Sequence, residues 1–198
     1  LSYLAEKYKE LCNDSALDIN EHLPTFVDAV EELNATRILE LGVRYGVSTI
    51  AWLHALEERG KGHLWAVDCS FPFEAGNPTN LLDPQAPGGL GVQTNWNFIL
   101  GDYHTSEVQE LLPKKVDIWF LDGNHVYEET LVELDLYYPR VRKGGRIFLH
   151  DTAIETTGNA TTPQPPFPVR TAMEEWCEKN DLKFTNVENC CGLGTIYC

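Results

Sequence analysis

The chain has 198 residues, 43% of them hydrophobic, which is enough to bury one full core, and a single domain spanning 1–198 is expected. Its formal charge of −15 is offset by no Lys/Arg-rich segment, so nucleic-acid partners are disfavoured and a small molecule fits better, although an acidic balance serves plain solubility equally well. No apolar run approaches the roughly 18 residues of a membrane span, and no basic stretch leading into an apolar one reads as a secretion signal.

Residues 1–12 and 23–33 carry apolar side chains at helical spacing, with Pro24 suited to a first turn. The period then changes. RILELG (37–42) is a short β-type run, GVSTIAWLHALEERG (46–60) is helical and stops at Gly60, and HLWAVDC (63–69) is a second strand. NFILGD (97–102), VDIWFLD (116–122) and GRIFLHD (145–151) supply three more strands, separated by helical stretches at 105–112 and 127–141. The tail adds a helix at 168–180 and two β candidates, LKFTNV and GLGTIYC, the second expected to pair antiparallel at an edge.

Strand–helix alternation of this kind predicts an α/β fold, a Rossmann-like parallel sheet with helices on both faces. Helices over 1–35 would precede a core at 36–151, and 152–198 would hold a loop, a helix and the closing strands. Two long segments, 70–96 and 152–167, are rich in Pro, Gly, Asn and Thr and follow strand carboxyl ends, so they read as lids more readily than as tethers. The six cysteines show no C-x-x-C spacing, and they read as reduced structural thiols of a cytoplasmic protein, with pairing within 177–198 left open. The first residue is Leu rather than Met, which suggests a removed upstream segment.

The turn ELGVRYGVS (40–48) joins the first strand to its helix. Gly42 permits a tight turn and Gly46 opens the helix without a side chain, so helix amides can face a ligand. Arg44 stands where a pyrophosphate cradle wants glycine, and no Gly-Lys-Ser/Thr follows, so neither a dinucleotide fingerprint nor a P-loop is present. Asp68 ends the second strand, where an acid can accept ribose hydroxyls, and Gly101-Asp102 ends the third. A glycine turn with a strand-end acid also occurs in α/β proteins of many functions.

Taken together, ELGVRYGVS, AVD at 66–68, GD at 101–102, FLDGNH at 120–125 and KGGRIFLHD resemble a class I S-adenosylmethionine-dependent methyltransferase, over roughly residues 36–151 and on to the closing antiparallel strand. The D-G-x-H-x-Y-E pattern resembles its small-molecule O-methyltransferase branch, with macrocin-type and cephalosporin-hydroxylase-like members. That resemblance implies S-adenosylmethionine as cofactor and a hydroxylated small-molecule acceptor. Glu40, Gly42 and Ser48 would hold its methionine end, Asp68 would bind its ribose and Asp102 with Tyr103 would flank its adenine, with Val43, Arg44, Cys69, Gly101 and Asp122 also among the residues around the cofactor. A homo-oligomer is compatible with it.

Asp122 and Asp151 close neighbouring strands, so their backbones should lie about 5 Å apart and the two carboxylates repel unless a proton or cation sits between them. The branch often places magnesium here, which makes Asp122, Asp151 and His150 the candidate ligands. This chain departs from the branch in reading His150-Asp151 in place of an acidic pair, and Asn124 where Asp is frequent. Strand alternation predicts that His150 points away from Asp151 unless the turn has begun. His125, with Asp122, is the candidate for taking the acceptor hydroxyl's proton, although a histidine there can equally cap the next helix. His54 and His63 read as structural, His104 as lining the cofactor edge, Trp52, Trp96 and Trp119 as core, and Phe167 as a cover for the acceptor. The rival readings are a nicotinamide-dependent oxidoreductase and a methyltransferase-like protein that binds without turnover.

Overall fold

The computed structural model describes residues 2–70, 95–156 and 160–198. Most of the 70–96 segment therefore lies outside the described residues, and the lid expected there is not placed. Helix α1 (Tyr3–Cys12) begins at Ser2, whose hydroxyl accepts the Ala5 N–H, and α2 (Leu23–Glu32) carries Pro24 in its first turn. Strands β1 (Arg37–Leu41), β2 (His63–Asp68), β3 (Trp96–Leu100), β4 (Val116–Leu121) and β5 (Val141–His150) alternate with α3 (Val47–Glu58), α4 (Ser106–Leu111) and α5 (Tyr127–Tyr137). The chain closes with α6 (Pro168–Asn180), β6 (Lys183–Val187) and β7 (Leu193–Tyr197).

All seven strands form one sheet in the order β3-β2-β1-β4-β5-β7-β6. The first five are parallel, and β7 runs antiparallel to both β5 and β6. The closing strand is thus antiparallel as expected but is not outermost. It slots against β5, and its hairpin partner β6 takes the edge. Strand β5 also starts earlier than 145: Val141 already pairs with Val116, and the register shifts before Arg146 meets Ile118. Lys143-Gly144-Gly145 is absorbed as an irregularity inside the strand, with Gly144 at φ +75°.

Each face of the sheet has its own core. On one, α1–α3 pack Phe26 flat against Trp52 at 4.4 Å between ring centres; on the other, α4–α6 bury Trp119 beside Tyr137. Trp52 and Trp119 are fully buried and Trp96 packs partly buried against the first core, as core tryptophans should. Asp117 anchors the opposite end of the sheet. Its carboxylate accepts the Thr36 and Arg37 N–H groups and pairs with Arg142 Nε at 2.5 Å. No described helix is long and apolar enough to cross a membrane. The strand order reverses between β1 and β4, and a crevice opens at that point beyond the strands' carboxyl ends.

Candidate active site

The crevice is a cleft of about 390 Å³ bounded by the β1 turn (Gly42, Arg44), the β2 end (Asp68, Cys69, Ser70), Tyr103 after β3, and Asp122–His125 with His150 and Asp151 at the ends of β4 and β5. A second cleft of about 520 Å³ continues past Tyr103 to Asp102, His104, Glu128 and Glu129. A small recess of about 150 Å³, lined by Leu17, Asp18, Val43, Arg44 and Ser48, lies over the first turn of α3. Most of the sequence-derived residues therefore converge, while Glu40 stands behind the wall and Gly101 is not among the residues lining the three clefts.

Glu40 has no exposure. Its two oxygens accept the hydroxyls of Ser48 (2.5 Å) and Thr49 (2.7 Å), tying β1 to the start of α3. Burial raises its carboxyl to about 8 against those two hydrogen bonds. Asp68 holds the glycine turn: Oδ2 accepts the N–H groups of Val43 (2.8 Å) and Arg44 (2.9 Å), while Oδ1 accepts the Ser70 N–H and hydroxyl. Burial opposes its ionisation, but the main-chain donors prevail and its pKa falls. Arg44 adopts φ +48° and reaches Asp18 at 3.0 Å.

On the adenine side, Asp102 is largely exposed and bonds the His104 N–H and ring. Tyr103 turns inward. Its hydroxyl donates to Glu133 Oε1 at 2.8 Å, and a side chain on Gly123 would collide with that hydroxyl. Burial lifts Glu133 to about 7. Glu133 escaped the sequence reading although the signal was present, since it interrupts the stripe Thr130, Leu134, Tyr137 that faces the core. Asp18 carried no such signal, being in an aperiodic stretch.

The acid–imidazole cluster differs from expectation. Leu121 pairs with Leu149, so the register sets His150, not Asp151, directly beside Asp122. Parallel neighbours in register present their side chains to the same face, and His150 therefore turns toward Asp122. Asp151 takes φ +61°, which breaks the strand alternation and brings its carboxylate back into the cluster. The prediction that His150 points away from Asp151 is thereby corrected: His150 Nδ1 lies 3.4 Å from Asp122 Oδ1 and 3.3 Å from Asp151 Oδ1. Its Nε2 faces the carbonyls of Asp18 (3.1 Å) and Cys190 (3.2 Å). His125, at φ +59°, bridges the acids, with Nε2 at 2.9 Å from Asp122 Oδ1 and Nδ1 at 3.1 Å from Asp151 Oδ2.

The electrostatics follow from this packing. Burial disfavours charge on every member, yet the acids outweigh it at the rings, so His125 is raised and His150 reaches about 9. Reciprocally, His150 and His125 hold the Asp122 carboxyl below the usual range. Burial and the neighbouring acids keep Asp151 above it. Ligand atoms of Asp122, His125 and Asp151 all lie within 4.8 Å of one another.

The remaining expectations divide. His54 stacks on Tyr8, and His63 bonds Asn97, both structural; His104 lines the second cleft. Phe167 is not among the residues lining the cleft and instead precedes α6 at φ +51°. All six cysteines are free, including the 177–198 group.

The sequence profile of a methyltransferase-domain family matches residues 39–152. Uncharacterized protein R132 of Acanthamoeba polyphaga mimivirus is 31% identical over 85 residues, covering 35% of this chain and only 38% of that relative's length. Among solved structures, the methyltransferase PaMTH1 of Podospora anserina, solved with SAH bound, aligns at a TM-score of 0.66 with 14% identity, over 98% of this chain and 86% of that one. An O-methyltransferase of Bacillus cereus in complex with SAH gives 0.61 and 14%, over 100% and 92%. At such identities these two structures speak for the fold.

Proposed function

The chain belongs to the methyltransferase-domain family, and we propose that it transfers a methyl group from S-adenosylmethionine to a hydroxyl of a small molecule. The observation that carries this reading is the placement of the Asp122–His125 pair on the same cleft wall as Gly42 and Asp68. Bound in the cleft, the cofactor supplies a methyl group on a sulfonium, and the chain supplies position and a proton acceptor.

Asp68 is the residue we assign to the ribose. Its Oδ2 is committed to the turn, whereas Oδ1, among the described residues, accepts from Ser70, two residues on, and is the oxygen a ribose diol would engage. Gly42, Val43, Arg44 and Ser48 line the path to the recess over α3, which suits the methionine end, and Glu40 supports that path from behind rather than touching the ligand. Asp102, Tyr103 and Cys69 border the second cleft, which suits the adenine.

At the reacting end His125 is fixed by its bond to Asp122. With Nε2–H donating to Asp122 Oδ1, the ring's other nitrogen is Nδ1, 3.1 Å from Asp151 Oδ2; an acceptor hydroxyl would displace that carboxylate contact and give its proton to Nδ1 of the neutral ring. Asp122 orients the ring and stabilises the imidazolium that results. Magnesium takes oxygen donors, and two of the four groups here are imidazoles, so the cluster does not fit that ion and no step runs through it. The free thiols agree with a cytoplasmic setting, and the net charge of −15 with a partner other than nucleic acid.

Calorimetric titration with S-adenosylhomocysteine tests the reading. Saturable one-to-one binding in the wild type, weakened at least tenfold in Asp68→Asn, is expected. Absence of binding, or a preference for a nicotinamide dinucleotide, overturns it.

A further inference from the structure

Glu133 interrupts the core-facing stripe of α5 with an acid that is 2% exposed. Burying a carboxyl costs stability that an apolar side chain would not forfeit, so its partners show what the acid does. The Tyr103 hydroxyl donates to its Oε1 at 2.8 Å, and one turn further along α5 the Tyr137 hydroxyl donates to the Tyr103 carbonyl at 2.5 Å. Helix α5 therefore grips Tyr103 at both its main chain and its side-chain tip, from two residues on one face. Between those grips the Tyr103 ring forms part of the wall of both larger clefts. His104 adds a third link, with Nε2 3.5 Å from the same Glu133 oxygen while Nδ1 holds Asp102.

The tip of Tyr103 rests on Gly123, the residue after Asp122 in the loop that carries His125. A Cβ on Gly123 would stand 2.3 Å from the hydroxyl oxygen and 3.3 Å from Glu133 Oε1. Gly123 is not among the glycines at positive φ, so the missing side chain answers to this contact rather than to backbone geometry.

We infer that Glu133 is a positioning residue for methyl transfer: by pinning the Tyr103 hydroxyl over Gly123, it sets the cofactor's wall and the His125 loop as one unit. The inference rests on the methyltransferase reading for what the clefts hold, and on geometry alone for the pin. Glu133 is not among the residues lining the clefts and acts through Tyr103. A further tie from α5 to this loop, Asn124 Nδ2 to Glu129 Oε2 at 2.9 Å, is exposed to water and holds less firmly. With its carboxyl raised to about 7, Glu133 also accepts the hydroxyl as a neutral acid, and an amide oxygen can take its place.

The test compares Glu133→Leu with Glu133→Gln in the full chain. In isotope-labelled protein without cofactor, the Gly123 amide and His125 ring resonances should move in Glu133→Leu and keep their wild-type positions in Glu133→Gln. S-adenosylhomocysteine, titrated calorimetrically, should bind Glu133→Leu about tenfold more weakly than the wild type and Glu133→Gln within about threefold of it. Where Glu133→Leu fails to fold by circular dichroism, Gly123→Ala takes its place. It should weaken binding about tenfold alone, and by less than about threefold once Tyr103→Phe has removed the hydroxyl it strikes. Unmoved resonances in Glu133→Leu, equal losses in the Leu and Gln variants, or a Gly123→Ala cost that Tyr103→Phe does not change overturns the inference. Absence of S-adenosylhomocysteine binding in the wild type defeats the methyltransferase reading instead, and the cofactor-free resonances still report on the pin.

Discussion

The carbonyl oxygen of Asp122 stands 1.9 Å from the point where a Cβ on Gly42 would be, so the β1 turn and the end of β4 share a contact that admits no side chain. Gly42 also sits at φ +87°, a conformation L-residues adopt at a cost. The glycine thus serves the approach of two protein segments as much as that of any ligand.

Gly42→Ala should accordingly lower stability by roughly 2–4 kcal/mol, from the left-handed backbone and the overpacked contact together. Chemical denaturation measures it. A change within experimental scatter would mean that the turn and β4 can separate freely.

His125→Ala should reduce turnover by about 10²–10⁴-fold, the usual worth of a positioned general base, while S-adenosylhomocysteine still binds. The pairing of the two readouts matters. Equal losses in binding and turnover would mark His125 as a structural bridge between Asp122 and Asp151 rather than the proton acceptor.

Glu40 gives a signed pH dependence. Its folded pKa of about 8 stands above its ordinary value of 4.5, so the folded state holds the proton more tightly. That contribution is whole below pH 4.5, declines as the pH climbs, and is gone above about 8. Thermal melts of Glu40→Gln, which cannot ionise, should lose less stability than the wild type between pH 5 and 8.5. Parallel melting profiles would remove Glu40 as the source.

Asp117 works in the opposite sense. Burial resists its charge, but the Thr36 and Arg37 N–H groups and Arg142 lower its pKa below the ordinary 3.8. Its stabilisation is therefore present above that value and lost as the pH falls through the folded pKa. Asp117→Ala should cost about 2 kcal/mol at pH 7, a figure kept low because Arg142 retains contact with water, and the deficit should shrink on acidification. A deficit constant with pH would show that packing, not charge, is what the substitution removes.

The strand–helix alternation was legible because each element keeps its own period, and the runs at 37–42, 63–69 and 116–122 became β1, β2 and β4 with ends shifted by a residue. The cluster was legible as residue types but not as geometry. Alternation alone turned His150 outward, whereas the pairing of Leu121 with Leu149 and the left-handed Asp151 turn it in, and neither is encoded locally. The placement of β7 inside β6 was equally beyond local pattern, since both strands are short and both could close the sheet. Asp18 reaches the site from an aperiodic segment through contacts with Arg44 and His150 that lie far off in sequence.

His150 Nε2 is the point where residue 18 and residue 190 meet, contacts that span 132 and 40 positions along the chain. A growing polypeptide can pair the first five strands and fill both faces of the sheet, yet it cannot orient that ring until the turn before β7 has left the ribosome and folded back. Closing such distant contacts comes late and slowly. The alignment of that ring is therefore among the last features the fold acquires. A molecule cut within its final dozen residues would keep most of its secondary structure and lose the alignment of its central histidine.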